Sequence, residues 1–435
     1  MITHNMERKI TNMLLEWKNS VRRMPLIVTG ARQVGKTFSL LEFGKRYYKN
    51  TVYLNFENNS VLNRIFERDL NSERLLRELS AYTGETVLKS DTLIFFDEIQ
   101  TCERALTSLK YFCEQTPEYH IVAAGSLLGV TLNRQEFSFP VGKVDRLQVF
   151  PFDFEEFLWA LGRKSGSDLI RECFERNEPF SLHEVFLDFY KIYLLVGGMP
   201  QAVNEYVLSQ DFNRILVLQK NINDAYIADM VKYAESTETS RILATYNSIS
   251  AQLAKENRKF QYKIIKSGAR AYEFEGALEW LKTAGVVNKC IKVREGKFPL
   301  DLFAEHGFFK VYFSDAGLLS SRYNLQPHVL QSDFSGFENV KGALAENYVL
   351  SALTVNGYTP FYWESEGKAE VDFVFQNSKG EIIPIEVKSS ENTRSKSLNQ
   401  YINKYKPPYS IRISAKNFGF ENAIKSIPLY AVFCI

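Results

Sequence analysis

The chain has 435 residues, 45% hydrophobic and 24% charged, with a formal net charge of +2. That composition buries a core and excludes intrinsic disorder, and the length suits about three domains at roughly 150 residues each. Near-neutral charge excludes a global field that would draw the chain onto nucleic acid or a membrane, so a DNA-binding surface would have to be a local patch.

Residues 25–30 read as a strand, followed by a glycine-rich turn and a helix from near Lys36. Residues 51–56 (TVYLNF), 92–96 (TLIFF) and 120–124 (HIVAA) are further strands. Short apolar runs with helices between them are the pattern of buried parallel strands. The predicted fold class is therefore α/β, with a mostly parallel sheet over residues 1–150. After Pro151 the pattern turns helical as far as about residue 221, broken by Gly197-Gly198-Met199-Pro200. Residues 151–225 are expected to form a helical lid. Within residues 226–330, helices are expected at 240–253, 262–265 and 271–284, then strands at 286–293 and 308–313. Three helices followed by two strands predict a winged-helix-like middle. Residues 331–435 begin with a helix at 340–353, continue with strands at 370–375 and 382–387, and add a helix near 397–405. The sequence shows no internal repeat and no low-complexity tract.

The five cysteines, Cys102, Cys113, Cys173, Cys290 and Cys434, form no C-x-x-C pair and match no zinc spacing. A scattered odd set points to a reducing compartment. The polar first ten residues lack a signal peptide's apolar stretch, and no run reaches the ~18 apolar residues of a membrane span. The cytosol is the expected location, without a membrane partner.

Gly30-Ala31-Arg32-Gln33-Val34-Gly35-Lys36-Thr37 fits G-x-x-x-x-G-K-[ST], the phosphate-binding loop. Its glycines let backbone N–H groups close around phosphates, and the helix N-terminus adds favourable partial charge. Lys36 would reach the β- and γ-phosphates and Thr37 would ligate magnesium, so ATP and Mg²⁺ are the expected cofactors. Asp97-Glu98 closes the apolar strand at 93–96. Asp97 would hold the metal, usually through water, and Glu98 could polarise the attacking water. A solvated acidic pair at a strand end is the alternative. Ser126 follows the fourth strand, where it could sense the γ-phosphate or simply cap a helix. Arg134, Lys143 and Arg146 are candidates for a charge-stabilising finger or for plain surface charge.

With residues 30–37, 93–100 and 125–126 in view, the sequence resembles a family of prokaryotic AAA-type P-loop ATPases whose C-terminal half is an uncharacterised domain with a nuclease-like end. Matching segments extend over nearly the whole chain. They are Tyr53-Leu54-Asn55-Phe56-Glu57, PFDFEEFL at 151–158, Gly197-Gly198-Met199-Pro200 and KVYFSDAGLL at 310–319. The resemblance implies ATP binding and hydrolysis. Many members look to have Gly-Arg where this chain has Gly142-Lys143, and lysine lacks the guanidinium fork.

A second constellation lies near the C-terminus. Ile385-Glu386-Val387-Lys388 puts Glu386 and Lys388 on one strand face. Asp372 lies in the preceding strand and Glu346 on the helix before both. This order resembles the PD-(D/E)xK nuclease superfamily. The resemblance implies that Asp372 and Glu386 bind magnesium, that Lys388 orients or activates water, and that Glu346 adds a ligand or steadies the site. Such a centre would hydrolyse phosphodiesters. A cross-strand ion pair is the simpler account of Glu386 and Lys388. Gln400 and Tyr405 stand five apart, not the four often seen in that superfamily.

In the third helix of the middle segment, Phe274, Ala277, Leu278 and Leu281 read as core, leaving Glu273, Glu275, Glu279 and Lys282 outward. Three acids against one base would repel phosphate. Lys255, Arg258 and Lys259, and then Lys263, Lys266 and Arg270, read as solvated surface or as contacts to a nucleic-acid backbone. The combined expectation is a magnesium-dependent ATPase whose cycle controls a nuclease-like domain on DNA. The alternative is an ATP switch with a non-cutting scaffold for protein or nucleic acid. An oligomer stays open.

Overall fold

Three strands of apolar residues organise the first part of the chain. The computed structural model describes residues 6–125, 140–234, 236–328, 338–365, 369–390 and 396–435. These fall into two compact units, one of Glu7–Phe150 with Thr283–Gly285, the other of Pro151–Lys282 and Val286–Ile435. The first runs α1 (Ile10–Asn19), β1 (Leu26–Thr29), α2 (Lys36–Tyr47), β2 (Asn50–Asn55), α3 (Ser60–Glu67), α4 (Ser72–Thr83), β3 (Thr92–Asp97), α5 (Glu103–Gln115), β4 (His120–Ala124) and β5 (Asp145–Gln148). Every residue of β3 and β4 is buried, as strands covered on both faces must be. The order is β2-β3-β4-β1-β5, with every neighbouring pair parallel. This is the α/β core that the apolar runs predict. β5, with the sequence DRLQ, has alternating exposure, so it carries no apolar run by which to recognise it.

Phe56, Phe66, Phe96 and Phe112 pack against one another on one face of the sheet at centroid separations of 5.5–6.2 Å. Each such ring contributes about 1.5–3 kcal/mol by leaving water. Asn59 and Asn71 cap α3 and α4 through their side-chain oxygens. Because all five strands run the same way, the carboxyl ends of β1 and β3 lie on one edge of the sheet, where open α/β sheets place their ligands.

The second unit opens with the helix Phe154–Ala160, held by a reciprocal capping box between Asp153 and Glu156. The helices Lys164–Arg176, His183–Val196, Pro200–Ser209, Phe212–Tyr233 and Ser236–Leu253 follow. The break at Gly197-Gly198 is a packing joint. A Cβ on Gly198 would lie 2.0 Å from the Phe152 carbonyl oxygen, and one on Gly197 would lie 2.3 Å from Asp315 Oδ1. The buried Asp315 accepts from Gly198 N at 2.6 Å and from Leu318 N at 2.8 Å, capping the helix Ala316–Arg322.

The helix Ala271–Thr283 buries Phe274, Ala277, Leu278 and Leu281, the stripe its spacing predicts. The strands after it, β6 (Val287–Val293) and β7 (Ala304–Phe313), form a hairpin like a wing, yet they are also one edge of an eight-stranded mixed sheet. β6 runs parallel to β8 (Phe361–Ser365). The sheet continues through β9 (Ala369–Gln376), β10 (Ile382–Val387), β11 (Ser410–Ser414), β13 (Ile424–Pro428) and β12 (Gly419–Glu421). Segments read from sequence as separate lid, middle and C-terminal domains thus share one compact unit. Among the described residues no helix is long and apolar enough to cross a membrane.

Burial raises the Asp315 pKa from 3.8 to about 6, against the pull of its backbone donors. The fold therefore takes up a proton between those values, and this group's contribution to stability falls as pH rises from about 4 to about 6. Asp315→Ala, which strands two buried N–H groups, should cost about 2–4 kcal/mol, read as a lower urea midpoint. An unchanged midpoint would show that the joint does not depend on Asp315.

Candidate functional site

The loop between β1 and α2 is shaped by residues that tolerate left-handed backbone. Gly30 has φ 144°, and a Cβ there would meet the Val149 carbonyl oxygen at 2.2 Å. Gly35, at φ 91°, leads into α2, and Gln33 is left-handed at φ 65°. Ala31 and Val34 are buried, and Arg32 is exposed. Lys36 is only 6% exposed, and its ammonium donates to the carbonyls of Gly30 at 2.9 Å and Ala31 at 2.8 Å. Arg8, which sequence reasoning did not single out, donates to Val34 O at 3.1 Å and to Phe150 O at 2.7 Å. It thereby ties the loop to the chain just after β5.

Asp97, at the end of β3, stands against the start of α2. Its Oδ2 accepts the Thr37 hydroxyl at 3.0 Å and the Tyr53 hydroxyl at 2.9 Å, while Oδ1 accepts from Glu98 N at 3.1 Å. Thr37 and Asp97, 60 residues apart in sequence, therefore form one all-oxygen donor pair. That chemistry fits Mg²⁺, so these are the residues that would hold it beside bound phosphates. Glu98 is left-handed at φ 52°, a conformation that costs free energy in a non-glycine residue and gathers at functional sites. Gln100 Nε2 donates to its carboxylate at 2.5 Å. Burial, followed by the charge of Asp97, raises the Glu98 pKa, with Gln100 and Lys36 pulling the other way. Ser126 and Arg134 lie outside the described residues. Lys143 pairs with Glu114 at 3.0 Å, and Arg146 is exposed on β5.

Residues 22–158, which span this loop and both acids, match a family model described as an AAA domain. Residues 22–158 are thus matched as an AAA domain, and the phosphate loop Gly30–Thr37 lies within them. Residues 187–329 and 341–432 match two further models, each described as a domain of unknown function, DUF8612 and DUF4143. No curated protein matches the chain. Among solved structures it is similar to the Walker-type ATPase PABY2304 of Pyrococcus abyssi, at 16% identity and TM-score 0.46, over 73% of this chain and 96% of that one. It is also similar to the Aeropyrum pernix ORC1 protein solved in complex with DNA, at 12% identity and TM-score 0.28, over 73% and 91% of the two chains. AMPPCP-bound DnaA from Aquifex aeolicus gives 11% identity and TM-score 0.29, over 65% and 89%.

The C-terminal carboxylates lie in the second unit and have resident cations. Glu346 is buried; it takes Arg258 Nη1 on Oε1 at 2.5 Å, and the Tyr312 hydroxyl at 2.8 Å and Lys310 Nζ at 3.6 Å on Oε2. Burial would raise its pKa, but the two cations and the hydroxyl outweigh that and lower it. Lys310 has no exposed surface and also donates to Glu370 at 2.6 Å. Burial alone would push its ammonium pKa down; Glu346, Glu370 and Asp372 reverse that. Asp372 Oδ2 accepts from Val387 N at 2.8 Å. Burial, then the charges of Glu346 and Glu386, drive the Asp372 pKa well above the usual carboxylate range. Lys388 pairs with Glu386 Oε1 at 2.8 Å, which fits their placement on one strand face, while Glu386 Oε2 is buried and accepts no hydrogen bond. Asp372 and Glu386 therefore keep oxygen atoms that suit a divalent ion, whereas Glu346 is committed to cations of the chain itself. Among the described residues no three His, Cys, Asp or Glu side chains form a metal-holding group.

Arg258 and Lys259, read from sequence as surface or nucleic-acid contacts, turn inward instead, Lys259 reaching Glu364 at 2.5 Å. Glu279 faces Lys282 and Lys289, and Tyr405 receives the Trp363 indole N–H at 3.2 Å. In the AAA domain, Lys36→Ala should weaken nucleotide binding by roughly a hundredfold or more, because the phosphate charge loses its buried partner. A fluorescent ATP analogue titrated into both proteins checks this; equal affinities would refute the site.

Proposed function

We propose that the AAA domain hydrolyses ATP with Mg²⁺, and that this turnover acts on the second unit. The carrying observation is the 3.0 Å hydrogen bond from Thr37 to Asp97, with Lys36 in the same loop. Bound Mg²⁺ would neutralise charge building on the β- and γ-phosphate oxygens. Lys36 binds those phosphates, Thr37 and Asp97 hold the ion, and Glu98 takes a proton from the attacking water. Ser126 is the candidate to sense the γ-phosphate.

For the second unit, a non-cutting scaffold is the favoured reading. Its support is Glu346, whose two oxygens are engaged by Arg258, Tyr312 and Lys310. The nuclease reading needs Asp372, Glu386 and Lys388 to act as a metal-binding and water-orienting set without that carboxylate. DNA or a protein is the partner such a scaffold would hold, in a cytoplasmic assembly of one or several copies.

Glu98→Gln should keep ATP bound and lower kcat by about 10²–10⁴-fold, the usual contribution of a general base. Because burial raises the Glu98 pKa, wild-type turnover should fall as pH drops through a value above the ordinary 4.5, and the variant should lack that acid limb. A pH-rate series on both proteins decides; identical profiles mean that Glu98 is not the base. Linear DNA incubated with the protein, ATP and Mg²⁺ or Mn²⁺ should stay intact. Cutting that Asp372→Ala abolishes while ATP turnover persists would restore the nuclease reading.

A further inference from the structure

Tyr53 belongs to none of the motifs that define a P-loop site, yet its hydroxyl touches the acid that would hold the metal. β2 is the edge strand next to β3, with Asn55 opposite Asp97 and Tyr53 opposite Phe95. The Tyr53 ring rests on Phe95 at 5.3 Å between centroids, and its hydroxyl reaches forward to Asp97 Oδ2 at 2.9 Å. Asn55 Nδ2 donates to that hydroxyl at 3.3 Å. The hydroxyl oxygen is therefore engaged as an acceptor and its proton is directed at Asp97.

We infer that Tyr53 is a positioning residue that fixes the Asp97 carboxylate for the metal, an inference that rests on the Mg²⁺-dependent reading above. The donors to Asp97 come from different elements. The Thr37 contact belongs to the phosphate loop and its helix, whose hydroxyl is itself a prospective metal ligand. The Glu98 amide holds only the other oxygen. Tyr53 comes from a different strand and binds neither phosphate nor metal in this scheme, so it holds Oδ2 whatever the loop is doing. Without it, that oxygen has Thr37 alone, and the carboxylate can turn away from the position from which it would bind the ion's water. The defect should fall on the metal and not on the nucleotide, whose contacts are the loop and Lys36.

The test is Mn²⁺ binding, followed by electron paramagnetic resonance, to wild type and Tyr53→Phe loaded with a non-hydrolysable ATP analogue. Analogue affinity without metal and ATP turnover are measured on the same preparations. Phenylalanine keeps the ring on Phe95, so the melting temperature should not move. The expected result is Mn²⁺ affinity about tenfold weaker in the variant, with metal-free analogue affinity within twofold. Asn55→Ala, which leaves the hydroxyl in place but frees its orientation, should give a smaller loss in the same direction. Equal Mn²⁺ affinities in wild type and Tyr53→Phe overturn the role of Tyr53 and leave the ATPase reading intact. No Mn²⁺ binding by the loaded wild type overturns the metal reading of Thr37 and Asp97, and the role of Tyr53 with it. Parallel loss of analogue affinity and melting temperature would show that Tyr53 only supports the fold.

Discussion

Asp97 is 4% exposed, and taking a carboxylate out of water costs several kcal/mol unless donors replace the water. Three donors do so here, from three elements that meet only when the sheet is assembled in register. Thr37 comes from the first turn of α2, Tyr53 from β2 and the Glu98 amide from the end of β3. The strand order puts β2 beside β3 and leaves one strand between β3 and β1, so the phosphate loop and the acid share the carboxyl edge of the sheet. A one-residue slip of β2 would turn Tyr53 to the other face and remove its hydroxyl from Asp97. The geometry of the candidate site is therefore a consequence of sheet register, and the alternation of buried Val52 and Leu54 with Tyr53 on β2 fixes that strand's register.

Two of the segments that mark family resemblance in the second unit do a different kind of work. Gly197-Gly198 and Asp315-Ala316-Gly317 look like functional signatures because glycine and aspartate so often are. In the structure they meet each other. A Cβ on Gly317 would lie 2.6 Å from the Val196 carbonyl oxygen, and Gln219 donates to the carbonyls of Leu195 and Val196 at 2.7 and 2.9 Å. Two backbone segments approach more closely than side chains would allow, and Asp315 satisfies the amides that this approach strands. Chemistry-bearing residues at such a joint are explained by packing, without a ligand.

The parts of this molecule legible in the sequence were those that a local rule can see. The phosphate loop needs glycine at fixed offsets, buried parallel strands need apolar runs, and the helix Ala271–Thr283 needs its stripe of Phe274, Ala277, Leu278 and Leu281. Residues whose meaning depends on a distant partner were not legible. Arg258 looks like surface charge until Glu346, 88 residues later, comes within 2.5 Å of it. The β6–β7 hairpin looks like a wing until β8 adds to its edge. Tyr53 did leave a signal. In TVYLNFE, Val52, Leu54 and Phe56 alternate with Tyr53, Asn55 and Glu57, so the strand beside the acid carries a polar face.

The same limit governs the C-terminal carboxylates. Residue order along the chain resembles a nuclease, but order does not set charge. The side chains Arg258, Glu346, Lys310, Glu370, Lys259, Glu364, Lys292 and Glu305 alternate in sign along a continuous chain of contacts. A buried ammonium such as Lys310 persists only with such partners, and each partner it takes is a carboxylate withdrawn from other work. This network joins the chain near residue 258 to four strands and to the helix Glu338–Val355. Removing one member would leave its neighbours with an unbalanced charge in a place poor in water, which is costlier than never having built the pair. Electrostatics therefore hold Glu346 in a structural role, and Asp372 with Glu386 is left as the part of the constellation where a ligand could still enter.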